Sequence, residues 1–293
     1  MRKPIHCSTP RELALDAPTQ EIALLANAVN LLVPTATDDG EFHGPSITEF
    51  FPGPLLFEDT PFEINRIMLV RFVAVAALLL VFWLGTRRMR VVPGRFQSLV
   101  EMGLDVVRVN IADDLLGKKD GKRFLPILTT IFFLVLFMNI TGVIPFLNIA
   151  GTSVIGVPLV LAIVAYITFI YAGVKKSPKN FFKNSLFPAG VPLPFYVLVT
   201  PIEFFSTFIL RPVTLTLRLM MNLVVGHLLL VLFFSATWFF FFEIEGLLKG
   251  LGALTLVVGF AFTLFEMLVA FLQAYIFTIL TGVYIQLALA EEH

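Results

Sequence analysis

The sequence predicts an all-α, polytopic membrane protein: about three conventional transmembrane helices, then a hairpin of two long, strongly tilted membrane helices. Three observations carry this. Hydrophobic residues make up 57% of the 293, with 32 Phe and only 14% charged side chains, which excludes an ordinary soluble domain. Five charge-poor stretches, 67–85, 124–147, 152–174, 196–242 and 247–290, are each long enough to cross a hydrocarbon core. The basic clusters Arg87–Arg95, Lys118–Arg123 and Lys175–Lys183 fall on one side if the first three spans alternate, as the positive-inside rule requires of a cytoplasmic face. Formal net charge is zero, so no nucleic-acid partner is expected.

Residues 1–62 are mixed in composition and Pro-rich, with scattered acids at Glu41, Glu49, Glu58 and Asp59. They read as an extracytoplasmic N-terminal extension, with a short amphipathic helix plausible across Arg11 to Leu32. Met1 to Ser8 lacks the apolar core of a signal peptide. The membrane domain is then 63–293. The single Cys7 allows no disulfide framework within one chain.

The first span, 67–85, is apolar apart from Arg71. Val91 to Arg123 is polar but periodic: Phe96, Leu99, Val100, Met102 and Val106 are spaced as one stripe, which predicts an interfacial or cytoplasmic helix. Spans 124–147 and 152–174 form a hairpin about the turn at 148–151. The last two stretches are about twice the length a perpendicular span needs. Neither has a central turn signal, whereas Glu243, Glu245 and Gly246 supply one between them. Two oblique helices are favoured over four short ones, with the Glu243 turn outside and the C-terminus cytoplasmic.

Arg218 is the costliest residue in the chain. From Leu219 to Phe242 the only ionisable group is His227. A guanidinium stays charged at any working pH, and at mid-bilayer it costs roughly 2.5–3.5 kcal/mol even on the lenient insertion scale. A fixed positive charge at such depth implies ion movement. An antiparallel hairpin turning near Glu245 sets Arg218 level with Gln273 and His227 level with Glu266, with Asn222 between the layers. Nine residues rotate His227 by about 180° from Arg218, so the two face different partners. A His/Glu pair in low dielectric has the titration range to pass protons, whereas Arg218 only repels or pairs. Asn222 and Gln273 fit interhelical hydrogen bonding equally well. Glu203 and Arg211 lie near the cytoplasmic end, within snorkelling reach. Ser206, Thr207, Thr214 and Thr216 read as packing residues.

These residues resemble the a subunit of F-type ATP synthases. The matching stretches are Val92-Pro93-Gly94-Arg95-Phe96-Gln97, Phe137-Met138-Asn139-Ile140-Thr141-Gly142-Val143-Ile144-Pro145, Pro212 through Asn222, and Leu272 through Thr281 with the terminal Glu291-Glu292-His293. They cover the chain from about residue 62 onward. The resemblance implies two offset half-channels meeting a ring of c subunits that each carry a membrane carboxylate. It implies that Arg218 holds the deprotonated carboxylate and blocks a direct proton leak. His227, Glu266, Asn222 and Gln273 correspond to the outer half-channel, and Glu203 to a polar position near the inner one. Some bacterial relatives carry Glu and His at the 227 and 266 positions in the opposite order. The implied partners are the c ring, peripheral-stalk b subunits, the rest of the F1Fo complex and membrane lipid, in a bacterial plasma membrane with the N-terminus outside.

No phosphate-binding Gly-x4-Gly-Lys-Ser/Thr loop occurs, so ATP chemistry belongs to partner subunits and this chain is expected to be a non-catalytic membrane subunit. No cofactor or metal is expected. A haem subunit needs paired membrane histidines, and His6, His43 and His293 lie outside the spans. The alternative is a secondary transporter or a proton-pumping subunit of a respiratory complex, though the internal repeats and broken helices usual there are absent from the sequence.

Overall fold

In the computed structural model, residues 54–56, 64–87, 89, 94–144, 149–176, 178, 181 and 196–289 are described. Most of the extension read at 1–62 lies outside these residues, as do 145–148 and the C-terminal 290–293. A minimal antiparallel pairing of β1 (Pro54–Leu56) with β2 (Ile64–Asn65) leads directly into the first helix.

Five helical runs are long and apolar enough to cross a membrane. Helix α1 spans Arg66–Thr86. Helix α2, Arg95–Val107, passes through a wide π turn at Arg108–Asp113 into α3, Asp114–Ile140. Helix α4 is Gly156–Lys176. Helix α5, Tyr196–Phe205, continues through a second π turn, Ser206–Leu210, into α6, Arg211–Phe242. A short 3-10 turn at Gly246–Leu248 then opens α7, Lys249–Leu289.

Several boundaries differ from the sequence expectation, each for a local reason. Gly117 has φ +73°, outside helical space, so the chain breaks there and the membrane helix starts with the basic residues 118–123 rather than at 124. Only glycine adopts that conformation cheaply. The same helix ends at Ile140 instead of running to 147. The Thr141 hydroxyl donates to the Met138 carbonyl at 2.7 Å, and Pro145 bars helical backbone at the residue before it. The next helix starts at Gly156 instead of 152 because residues 149–153 are themselves folded and buried. Thr152 donates to Asn139 Oδ1 at 2.7 Å, Gly151 N–H reaches Met138 O at 3.1 Å, and Arg71 Nε donates to Gly151 O at 2.8 Å. Arg71, the one charge within the first span, thus ties α1 to that loop. The expected stripe on α2 is divided: Val100 is buried and packs on Gly85, while Phe96, Leu99 and Met102 are exposed. The inward partner of Val100 is Val107, not Val106.

The core lies where α3, α4, α6 and α7 meet. Leu128, Ile131, Phe132 and Val135 of α3 interlock with Ala162, Ala165 and Phe169 of α4, with Leu215 and Leu219 of α6, and with Ala274, Phe277 and Ile285 of α7. Helix α1 joins from outside, its Phe82 ring edge-on to Phe133 at 4.8 Å between centroids. Small residues permit this closeness. Gly121 sits so near Ala112 that a side-chain carbon would fall 2.7 Å from its carbonyl oxygen, and at Gly282 one would lie 3.0 Å from Leu115 Cδ1.

Candidate functional site

Helices α6 and α7 run side by side in opposite directions, and their seam fixes the depth of every polar residue. Near the turn that joins them the Thr237 hydroxyl meets Thr255 Oγ1 at 2.9 Å. Farther along, a side-chain carbon at Gly226 would fall 2.7 Å from Glu266 Oε1. Both contacts give the same level pairing, which sets Glu266 beside Gly226–His227 and Gln273 beside Leu219, one residue from Arg218. Phe233 with Phe262, at 5.7 Å between ring centroids, and Phe234 with Phe260, at 6.1 Å, keep that register within two or three residues. No reversal interrupts either helix; the π turn at Ser206–Leu210 takes up the break demanded by Pro212, whose ring nitrogen cannot donate to the preceding turn.

The candidate residues divide between two sides of α6. Arg218 is exposed, on a strip with Val213, Thr214, Leu217, Met221 and Val225. No hydrogen bond or ion pair engages it among the described residues. Its guanidinium is therefore presented outward from an apolar helix, where lipid alone would be a poor solvent for it. His227 is 5% exposed and Glu266 4%; His227 is on the side of α6 opposite Arg218, whereas the Glu266 carboxylate rests against Gly226, about 80° around the helix from Arg218. Glu266 Oε2 and the Gln273 amide nitrogen have no hydrogen-bond partner among the described residues. His227 and Glu266 are neighbours in depth, but no hydrogen bond joins them. Asn222 is half-buried, between the Arg218 strip and the seam.

Glu203 is half-buried on α5. It lies 15 residues before Arg218, about 22 Å along a continuous helix axis, and is not drawn into the cluster. Arg211 lies over the rings of Tyr284, at 5.2 Å, and Phe169, at 5.7 Å, so it is held by aromatic faces within the core rather than by solvent. Among the described residues no three His, Cys, Asp or Glu side chains gather as a metal site needs.

Sequence reasoning passed over three features of this region. Gly226 carries no chemistry, and its value appears only once the Glu266 carboxylate is seen against it. Thr237 and Thr255 are 18 residues apart, and nothing in the sequence singles out their pairing. The Arg71–Gly151 and Asn139–Thr152 links were hidden because loops are not expected to be buried.

Residues 68–286 match the family model described as ATP synthase A chain. The chain is 52% identical over 257 residues to the ATP synthase subunit a of Rhodococcus erythropolis, covering 86% of this chain and 93% of the relative. It is 36% identical over 259 residues to the subunit of the same name from Pseudarthrobacter chlorophenolicus, covering 88% and 97%. Over 264 residues it is 36% identical to that of Streptomyces lividans, covering 86% and 89%. With that extent of agreement, and with five helices long and apolar enough to cross a membrane, this chain belongs to the ATP synthase A chain family.

Proposed function

We infer that this chain is the stationary proton-translocating subunit of a rotary F-type ATP synthase, and that it offers two offset half-channels to a c ring. The observation that carries the reading is the division of α6. A permanent cation is presented outward on one strip, a buried His227 lies on the opposite side at a different depth, and the buried Glu266 carboxylate rests on Gly226 between them. Protons entering from outside pass His227 and Glu266, with Asn222 and Gln273 as polar neighbours, and reach a carboxylate on the ring. Arg218 attracts each carboxylate that has lost its proton and, being unable to give up its own, bars a direct leak between half-channels. Glu203 lies on the inner exit. Each proton falling through 100 mV releases about 2.3 kcal/mol, so several must pass for each ATP made on partner subunits.

The orientation follows the basic clusters: N-terminus outside, Glu243 turn outside, C-terminus cytoplasmic, in a bacterial plasma membrane. Run as one helix, Leu198–Phe242 holds 45 residues and Lys249–Leu289 holds 41. Their lengths of about 60–68 Å exceed a hydrocarbon core roughly twofold, so both helices lie obliquely along the ring. Both carry exposed apolar side chains, among them Leu217, Met221, Val225, Leu264 and Leu268, which leaves surface for ring and lipid. Peripheral-stalk b subunits contact other faces of the chain. Membership of the family sets a secondary transporter or a respiratory pump aside. The test is purification of the intact complex followed by reconstitution with Arg218→Ala: it should assemble and lose proton-coupled ATP synthesis.

A further inference from the structure

Helix α4 has two unlike faces. The inner one packs Ala162, Ala165, Phe169 and Ala172 into the core. On the outer one Ile167, Ile170, Tyr171, Val174 and Lys175 line an open groove of about 430 Å³. Their spacing puts all five on one side of the helix. The groove runs down onto Val164, which shares the strip and is exposed. From Lys175 to Val164 is about 16 Å of helix rise, close to half of a hydrocarbon core about 30 Å thick. The apolar strip is thus one leaflet long, and its polar end lies at the depth of lipid headgroups.

That end is a cluster of donors. Lys175 Nζ donates to the Tyr171 phenol oxygen at 3.0 Å, and Arg123 Nη2, reaching across from α3, donates to the same oxygen at 3.2 Å. Both cations also lie against the Tyr171 ring, at 5.3 and 5.4 Å from its centroid. Two like charges meeting on one neutral oxygen repel each other, and no carboxylate pairs with either among the described residues. Other basic residues are differently engaged. Arg108 faces Asp113 at 3.9 Å, and Lys176 donates to Leu289 O at 2.7 Å, at the end of α7. The phenol still has its O–H to give, and the guanidinium and ammonium keep most of their N–H groups. An anionic acceptor is what this cluster lacks.

We propose that Arg123, Lys175 and the Tyr171 hydroxyl bind the phosphodiester of an anionic glycerophospholipid, whose acyl chain lies in the α4 groove along Ile170, Ile167 and Val164. The planar fork of Arg123 matches a pair of phosphate oxygens, and Lys175 adds a point charge. Basic pockets between membrane helices suit such headgroups. A soluble phosphate would satisfy the donors and leave the groove empty, so the pairing of a charged end with a leaflet-long apolar strip selects a lipid. The bound phosphate offsets the repulsion between the two cations and ties α3 to α4. This site needs only that the helices cross a membrane; it stands apart from the proton path.

The experiment uses the purified whole complex in detergent micelles doped with a photoreactive lipid. Phosphatidylglycerol and phosphatidylcholine carry the same diazirine acyl chain, and labelled residues are mapped by mass spectrometry. Phosphatidylglycerol should label residues 164–175 about tenfold more than phosphatidylcholine, and raised salt should narrow the difference. Arg123→Gln with Lys175→Gln should cut that labelling roughly tenfold to thirtyfold, from about fivefold for each cation near a lipid surface. Arg123→Lys with Lys175→Arg should keep most of it, and Tyr171→Phe should lose an intermediate amount. Arg87→Gln, an exposed cation outside the groove, should change labelling by less than about twofold. The contrast between the two lipids in the unmodified complex needs no variant, so it decides the matter even where the double replacement fails to assemble. Equal labelling by the two lipids, or an equal loss from Arg87→Gln, overturns the site. Displacement of the label by inorganic phosphate at the lipid's own concentration assigns the donors to a soluble anion and overturns it too. So does the absence of label from both lipids, in which case a crosslink from a photoreactive residue at Ile167 identifies the protein neighbour that fills the groove.

Discussion

Replacing Arg218 by Ala tests the main functional claim, and its size follows from where the side chain stands. The guanidinium is exposed among Leu217, Met221 and Val225, with no counter-charge from its own chain among the described residues. A rotor carboxylate coming within about 4 Å would gain about 4 kcal/mol at an effective dielectric of 20. At 1.4 kcal/mol per decade, that shifts the acid's proton affinity by roughly a thousandfold. Without the cation each carboxylate would keep its proton when it reaches α6, and nothing would force release to the exit side. Inside-out vesicles carrying Arg218→Ala should therefore hydrolyse ATP without acidifying, make no ATP from an imposed gradient, and leak protons faster than the unmodified complex. Arg218→Lys should fall between, since a hydrated point charge replaces a planar fork. Coupled ATP synthesis within about twofold of normal in an assembled Arg218→Ala complex would refute the argument.

Exchanging His227 and Glu266 for one another should retain more proton uptake than either single replacement, because both acid–base groups persist at one depth; a double exchange no better than the singles would dissolve the pair. Asn139→Ala removes the acceptor of the buried Thr152 hydroxyl and should destabilise the chain by about 1–3 kcal/mol, read as a lower melting temperature of the purified complex. Gly117→Ala forces a side chain onto φ +73° and should cost about 1–2 kcal/mol in the same melt. Gly121→Ala should be worse for assembly than Gly226→Ala, since a backbone carbonyl cannot swing aside.

Much of the architecture was legible because membrane spans are written in composition. A bilayer admits only segments that satisfy their own backbone, so the existence and rough extent of all five helices followed from apolar run lengths. Their ends did not. The helix from Asp114 stops at Ile140 because of a hydroxyl cap and the proline at 145, although apolar residues continue past it. Hydropathy cannot see either cause. The α2 stripe misled for a related reason: Phe96, Leu99 and Met102 are apolar yet exposed, and in a membrane protein an apolar face is as free to meet lipid as core. Depth in the final hairpin was legible, since one turn near Glu245 fixes it by counting, and the Thr237–Thr255 contact agrees within a residue. Contacts were not. Sequence places His227 level with Glu266 but says nothing of the carboxylate lying on Gly226.

On the proposed function, the separation of Arg218 from His227 bears on how two half-channels would share one helix. Nine residues give about 13 Å of rise, and opposite faces add about 10 Å across the helix, so the groups stand roughly 16 Å apart. At an effective dielectric of 20 two unit charges at that distance interact by about 1 kcal/mol, less than one decade in proton affinity. If protons enter past His227 as proposed, charging it would hardly disturb a carboxylate held by Arg218, and the fixed cation would hardly block entry. Had the two shared a strip four residues apart, about 6 Å of separation would raise the interaction to about 2.8 kcal/mol, roughly a hundredfold penalty on each proton that arrives. A half-turn offset along α6 avoids that penalty.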